Sequence, residues 1–338
     1  MSPQSTIEAR KKAHLDASLN SDSRGKGAGL DGVHLPYDAL FEVSDEQLDT
    51  HSKIAGIEIQ FPLMIGAMTG GTSFATPFNN ILRGLAQKYG IALCLGSMRA
   101  CLNHSELLET YGTGDVDALF ANLGASEISV YPPHIIEECC KRLGARGLFI
   151  HLNGLQEYMQ DGGNKDFSIS LDHLLRFLEK FHLPVLVKEV GSGIGGKCAQ
   201  RLASLPIAGI ETASLGGTSW IKIESSISQN PHDPAQIEAL NQLGYTLEQS
   251  LRDCIHVLKP HQTLIASGGI VNAVEIIKCL AIGADLASIA QPFYAAWHKS
   301  GAEGIEYLIH EYIQLGRLVW RSTGCRNLER LKQLAVSS

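Results

Sequence analysis

Residues 147–190 read GLFIHLNGLQEYMQDGGNKDFSISLDHLLRFLEKFHLPVLVKEV. Two short apolar runs, GLFIHLN (147–153) and PVLVKEV (184–190), flank LDHLLRFLEKF (171–181), whose apolar residues recur at helical spacing. Runs of this length suit buried parallel strands, and parallel neighbours need a crossover helix between them. Each run also ends in polar residues: His151, Asn153, Gln156 and Glu157 after the first, Lys188 and Glu189 in the second.

The alternation continues on both sides of this stretch. Further apolar runs are PLMIGAM (62–68), IALCLG (91–96), ALFANLG (118–124), AGIETAS (208–214), TLIASGG (263–269) and LASIAQP (286–292). Helix-like segments such as FNNILRGLAQKYG, PPHIIEECCKRLG and NAVEIIKCLAIG lie between them, each with a glycine near its end. Eight strands alternating with helices predict a (β/α)8 TIM barrel rather than a doubly wound sheet, whose first strand would usually open a GxGxxG turn; TGGTS stands there instead. Polar residues gather where a barrel places its active site: Thr69, Ser97, Arg99, Asn122, the His151 and Lys188 groups, Thr218, Ser219 and Ser267. Residues 1–338 are expected to form one domain, with an N-terminal arm over 1–60 and a lid-like insertion over 215–250 between strands six and seven. SDSRGKGAGLDG (21–32) reads as a mobile loop.

Of the 338 residues, 19% are charged and 44% hydrophobic, enough apolar material for one sizeable core. The formal charge of -7 argues against nucleic acid or an anionic membrane as the main partner but allows an anionic small molecule. Eight cysteines without CxxC or metal-ligand spacing suit buried free thiols in a reducing cytoplasm. The start lacks the apolar segment of a signal peptide, which points to a cytoplasmic protein. The uncharged stretch Ile59 to Leu82 carries Gly70, Gly71, Pro77, Asn79 and Asn80, which suit a strand, a turn and a helix start rather than a membrane span.

Four motifs carry chemistry. In ASGGI (266–270), Gly268 and Gly269 open a helix where backbone amides can face an anion, and Ala290 and Gln291 at the end of strand eight face the same place, as in a phosphate site. Lys188 ends a buried strand and needs an anion: a reduced flavin ring, or a carboxylate of another strand, since Glu189 points to the opposite side. His151 and Asn153 share one strand face, while Gln156 and Glu157 follow on the loop; a neutral amide tolerates a dry site, and Glu157 is a hard oxygen ligand suited to Mg2+. RKKAH (10–14) reads either as a solvated basic face or as an arm that clamps a diphosphate.

These motifs in this order resemble the type 2, FMN-dependent isopentenyl-diphosphate delta-isomerases. The likeness runs from Arg10 to about Leu331 and rests on RKKAH, MTGG (68–71), LGSMRA (95–100), ANLGA (121–125), HLNGLQE (151–157), VKEVGSGI (187–194), LGGTSW (215–220), ASGGI and IGADLASIAQPF (282–293). It implies an isomerase that interconverts isopentenyl and dimethylallyl diphosphate on reduced FMN, with Mg2+, with NADPH as reductant, and as a homotetramer or larger assembly. By the same likeness FMN contacts Ala67, Met68, Thr69, Ser97, Asn122, Lys188, Thr218, Gly268, Gly269, Ala290 and Gln291. Substrate contacts fall to Arg10, Lys11, His14, Arg99, His151, Asn153 and Gln156; Glu157 holds Mg2+; and Gln156, His151 and Asn153 form the catalytic set, with flavin N5 or Gln156 moving the proton.

The chain departs from that pattern around the core set. Ala13 replaces an acidic residue, Met98 a glutamine, Asn164 an aspartate and Gly195 a serine; Glu211, Thr212, Ala213 and Ser214 replace DVAG; Val271 replaces a basic residue; and LGYTLEQSL (243–251) stands in the insertion. These changes keep two alternatives in view: a diverged paralogue acting on another prenyl or phosphorylated substrate, and a non-catalytic flavin binder. An FMN-dependent 2-hydroxy-acid oxidase would need a His-Gly-x-Arg-like pair where this chain has ASLGGTSW.

Overall fold

The computed structural model describes residues 3–20, 23, 25–163, 165, 171–229, 232–334 and 336. Asn164, and Ser21, Asp22 and Arg24 of the Gly- and Ser-rich stretch, lie outside them. The chain enters through helix α1 (Pro3–Ser18) and a two-stranded antiparallel hairpin, β1 (Ser52–Ile54) and β2 (Ile57–Ile59). Eight parallel strands follow: β3 (Leu63–Ile65), β4 (Ala92–Ser97), β5 (Leu119–Gly124), β6 (Gly147–His151), β7 (Val185–Lys188), β8 (Gly209–Glu211), β9 (Thr263–Ala266) and β10 (Leu286–Ile289). They stand in sequence order, and β10 closes onto β3 through Ala287↔Leu63, Ser288↔Met64 and Ile289↔Ile65. Each strand coincides with one of the eight predicted runs, so the (β/α)8 barrel holds.

The helices are α2 (Ala75–Tyr89), α3 (Arg99–Asn103), α4 (Pro133–Arg142), α5 (Gly154–Met159), α6 (Leu171–Leu178), α7 (Gly196–Ala203), α8 (Trp220–Ile227), α9 (Pro234–Leu240), α10 (Leu247–Ile255), α11 (Ala273–Ile282), α12 (Gln291–Arg321) and α13 (Leu328–Lys332). Helix α2 ends at Gly90, whose φ of +59° turns the chain so that the Ile91 N–H reaches the Ala86 carbonyl at 3.0 Å. The stretch Ile59 to Leu82 is shared among β2, β3 and α2, and among the described residues no helix is long and apolar enough to cross a membrane.

The lower barrel interior is filled by Met64, Cys94, Phe120, Phe149, Leu186, Ile265 and Leu286, with Phe120 and Phe149 edge to face at 5.6 Å. Ile54 and Ile59 join this cluster, so the hairpin, which the sequence reading left inside the arm, stoppers the amino end of the barrel. All eight cysteines are free thiols; Cys198 is exposed, against expectation, and the others are buried.

One buried cation ties three segments together. Arg83 of α2 is 4% exposed and donates to the carbonyls of Tyr111 at 3.0 Å, Gly114 at 2.8 Å and Leu143 at 2.9 Å. Its removal strands carbonyls that no other described side chain reaches with a comparable fork. Arg83→Met is expected to cost about 3 kcal/mol, read as a fall in the urea midpoint of unfolding; an unchanged midpoint would show that the fork adds nothing.

Candidate active site

At the carboxyl ends of the strands lies a cavity of about 400 Å³, within the roughly 300–1,000 Å³ usual for cofactor and small-molecule sites. Each of the eight strands, or the residues just after it, contributes to its wall: Ala67 and Met68 after β3, Ser97 of β4, Asn122 of β5, His151 of β6, Lys188 of β7, Glu211 of β8, Gly268 and Gly269 after β9, and Ser288 and Ala290 at β10. Gln156 of α5, Thr218 and Trp220 of the insertion, His14 and Ser18 of α1, and Gln291 at the start of α12 complete it.

One part of the wall is backbone with almost no side chain. Gly268 and Gly269 have φ of +115° and +89°, in the region that favours glycine. A Cβ on Gly269 would come within 2.7 Å of both the Gly216 carbonyl oxygen and the Gly27 carbonyl carbon. The segment at 25–27 lies across both loops, with the Gly25 N–H donating to the Gly217 carbonyl at 2.7 Å and the Gly27 N–H to the Gly216 carbonyl at 3.2 Å. Thus the described part of the stretch read as a mobile loop is a packed strap, with Ala28 and Leu30 buried. Gly269 precedes α11 and Ala290 precedes α12, so the N-termini of two helices border the same backbone. Val271 does not serve it, because its N–H is committed to Glu275 at 2.8 Å.

The cavity floor is charged. Lys188 is buried and its Nζ stands 3.7 Å from Glu211 Oε1, so its protein partner is the carboxylate of the neighbouring strand. Glu189 points away, as alternation requires: it accepts from the N–H groups of Val190 at 2.6 Å and Gly191 at 2.5 Å, and from that of Ser192. Burial pushes its carboxyl up, opposed by those N–H donors and by Lys188. Beside the floor, burial and then the Lys188 charge hold the His151 imidazole down at about 3, so the ring is neutral at pH 7. Asn122 Oδ1 lies 2.8 Å from Nδ1 and accepts its hydrogen, which leaves Nε2 as the basic nitrogen.

A roof of α1, α5 and α8 spans the cavity. Gln156 Nε2 donates to Glu224 Oε1 at 2.9 Å, and His14 Nε2 stands 3.1 Å from the same oxygen. The His14 ring also meets Trp220 edge-on, with centroids 5.6 Å apart. Gln291 Nε2 donates to the Ser18 carbonyl at 3.2 Å and fastens the end of α1 to the barrel. The basic cluster RKKAH is therefore part of a helix laid over the mouth. Lys11 is the cation that burial affects most: its Nζ donates to the Gly70 carbonyl, and burial, then neighbouring Arg10, lower its pKa to about 8.

Several predicted residues stand outside the cavity lining. Thr69 is buried beneath it, with its carbonyl accepting from Asn79 Nδ2 at 3.1 Å. Arg99 is exposed and pairs with Glu127 Oε1 at 3.2 Å. Arg10, Lys11, Asn153 and Glu157 are likewise not among the residues that line it. Asn153 does not share the His151 face: β6 ends at His151, and Asn153 stands at the N-cap position just before α5 and donates to Glu157 Oε1 at 3.2 Å. Gln156 and Glu157 accordingly sit on a short helix, not a loop. Among the described residues, no group of three or more His, Cys, Asp and Glu side chains could hold a metal. Sequence reasoning missed Glu224, which lies 68 positions from Gln156, and the glycines Gly25 and Gly27, whose only signal was their density in an otherwise polar stretch.

Known proteins similar to this chain agree on its family. The FMN-dependent dehydrogenase family profile matches residues 132–338. An isopentenyl-diphosphate delta-isomerase from Mycolicibacterium gilvum is 32% identical over 99% of this chain and 98% of its own length. Its counterpart from Oceanobacillus iheyensis is 32% identical over 96% of this chain and 95% of its own. Among solved structures, mandelate oxidase with (S)-4-hydroxymandelic acid has a TM-score of 0.69 at 14% identity, covering 97% of this chain and 98% of that one. Mandelate oxidase with (S)-2-phenylpropionate has a TM-score of 0.68 at 15% identity, covering 97% of each chain. At such identity these oxidases share the fold alone. The full-length relatives and the family match establish the rest: the chain belongs to the FMN-dependent isopentenyl-diphosphate delta-isomerases and is an isomerase.

Proposed function

We propose that the enzyme interconverts isopentenyl diphosphate and dimethylallyl diphosphate over bound, reduced FMN, with Mg2+ carried at Glu157. The observation behind this reading is a single cavity that joins a glycine backbone cradle at two helix N-termini, a buried lysine, a neutral histidine and an anchored glutamine beneath a basic helix. FMN suits these residues. Gly268, Gly269, Thr218, Ala290 and Gln291 would receive its phosphate; Ala67, Met68, Ser97 and Asn122 would border the ring, with Thr69 buried behind them; and Lys188 would balance the charge of its reduced form. When bound, the reduced ring supplies an electron-rich surface that can carry a proton beside the allylic carbons. NADPH is the reductant assigned to it, needed to reduce the cofactor and not consumed at each turnover.

Arg10, Lys11, His14, Arg99, His151 and Asn153 are the groups assigned to the diphosphate. Lys11 and His151 both sit where burial disfavours their charged forms, and an arriving diphosphate favours those forms. The Gln156 amide nitrogen is committed to Glu224, so Oε1 is the atom left to face the reacting carbons and orient the proton in transit. His151 and Asn153 share the catalytic assignment with Gln156 by fixing the substrate against it. Glu157 offers Mg2+ one hard oxygen ligand, and water and diphosphate oxygens would complete its octahedron.

The decisive assay is anaerobic, with isopentenyl diphosphate, Mg2+ and either reduced or oxidised FMN. Dimethylallyl diphosphate should form with reduced flavin only; FMN uptake without product would favour a paralogue with another substrate. Gln156→Ala should lower turnover at least about a hundredfold with flavin still bound. Lys188→Ala should weaken FMN binding by roughly tenfold to a hundredfold.

A pH dependence follows from Lys11. Its pKa of about 8 in the free protein rises when an anion binds, so the Lys11 contribution to diphosphate affinity is fully present below pH 8 and falls by up to about tenfold per pH unit above it. Calorimetric titration with inorganic diphosphate from pH 7 to 9.5 should show this slope, and Lys11→Met should bind more weakly without it. An unchanged slope in Lys11→Met would assign the proton to another group.

A further inference from the structure

Above the apolar plug, the wall of the barrel carries an acid that is only half satisfied. Glu211 is 1% exposed. Its Oε1 lies 3.7 Å from Lys188 Nζ, beyond hydrogen-bonding reach, and its Oε2 has no hydrogen-bond partner among the described residues. Strand register sets the two side by side, with Lys188 opposite Glu211 across β7 and β8, and both face the cavity. A buried carboxylate in this state is costly unless the ligand or the neighbouring cation gives it a purpose.

We infer that Glu211 is a positioning residue for charge: by standing against Lys188 it sets how strongly the site favours the anionic, reduced flavin over the neutral, oxidised one. The inference rests on the FMN reading above. Reduction takes two electrons and one proton from the reductant and leaves one negative charge on the ring. A cation beside the ring favours that state, and an anion beside the cation opposes it, most strongly where the dielectric is low. With Lys188 alone, the site would hold the reduced ring as a well-stabilised and therefore weak base. Glu211 offsets part of that field and keeps the ring more basic, the property required of a cofactor that carries a proton and makes no net electron transfer.

The test is the midpoint potential of the FMN-loaded protein, titrated anaerobically with dithionite against reference dyes. Glu211→Gln should raise the equilibrium constant for two-electron reduction at least tenfold, about 30 mV. Glu211→Asp keeps the charge but withdraws it by one methylene, so its potential should lie between those of the parent and Glu211→Gln. A packing role gives the opposite order, because glutamine fills the same volume and aspartate leaves a gap. Equal potentials in the parent and Glu211→Gln, or a larger shift in Glu211→Asp, overturn the inference. If Glu211→Gln does not fold, an unchanged or lowered potential in Glu211→Asp overturns it equally. Failure of the parent to take up FMN sinks the flavin reading and the inference with it, whereas FMN uptake with an immobile potential sinks the inference alone.

Discussion

Pairing of Ala287, Ser288 and Ile289 with Leu63, Met64 and Ile65 joins the last barrel strand to the first, and closure in parallel fixes where everything else can go. Once the strands run the same way, their carboxyl ends share one rim, and residues as distant in sequence as Met68 and Ala290 line one cavity. The same closure separates the interior into layers. Apolar side chains from the early strand positions fill the lower layer, and Lys188, Glu211 and Ser288 stand near the rim. The plug supplies the dry base on which a lysine beside a carboxylate becomes an electrostatic element instead of a solvated surface pair.

The roof obeys a different logic, since it is assembled from segments outside the repeating pattern. Helix α1 brings His14, the insertion brings Glu224 and Trp220, and α5 brings Gln156; the Glu224 carboxylate stands at the meeting point. A neutral amide has two ends of opposite hydrogen-bonding sense, so fixing its nitrogen decides which atom faces the cavity. Glu224 performs that selection from a helix belonging to no barrel repeat. Two departures from the family pattern are also physically one. The Tyr245 ring, from the altered insertion, occupies the space a side chain at Gly195 would need, so loss of the serine there and arrival of the tyrosine fit together.

The barrel was legible because each strand is buried on both faces and reads as a continuous apolar run between breakers, a signal that needs no tertiary information. Residues at the strand ends were legible for the same reason: a lysine closing VLVK or an asparagine inside LFANLG contradicts its surroundings. The β1–β2 hairpin was not, since its strands have three residues each and turn through Ala55 and Gly56, without the Asn-Gly or Asp-Gly signature of a short hairpin. Asn153 was misplaced because period-two reasoning was carried beyond His151, where the strand stops and α5 begins. The role of Glu224 was invisible because nothing local marks a carboxylate that acts across 68 residues.

The hairpin at the amino end of the barrel has a kinetic consequence. Ile54 and Ile59 cork that end, so among the described residues the barrel opens at its carboxyl end, where α1 and the strap at 25–27 lie across the mouth. Cofactor, substrate, product and displaced water must all pass through the same doorway. Residence time of the flavin and turnover of the substrate are thereby tied to one mouth, which lies beneath one helix and one strap.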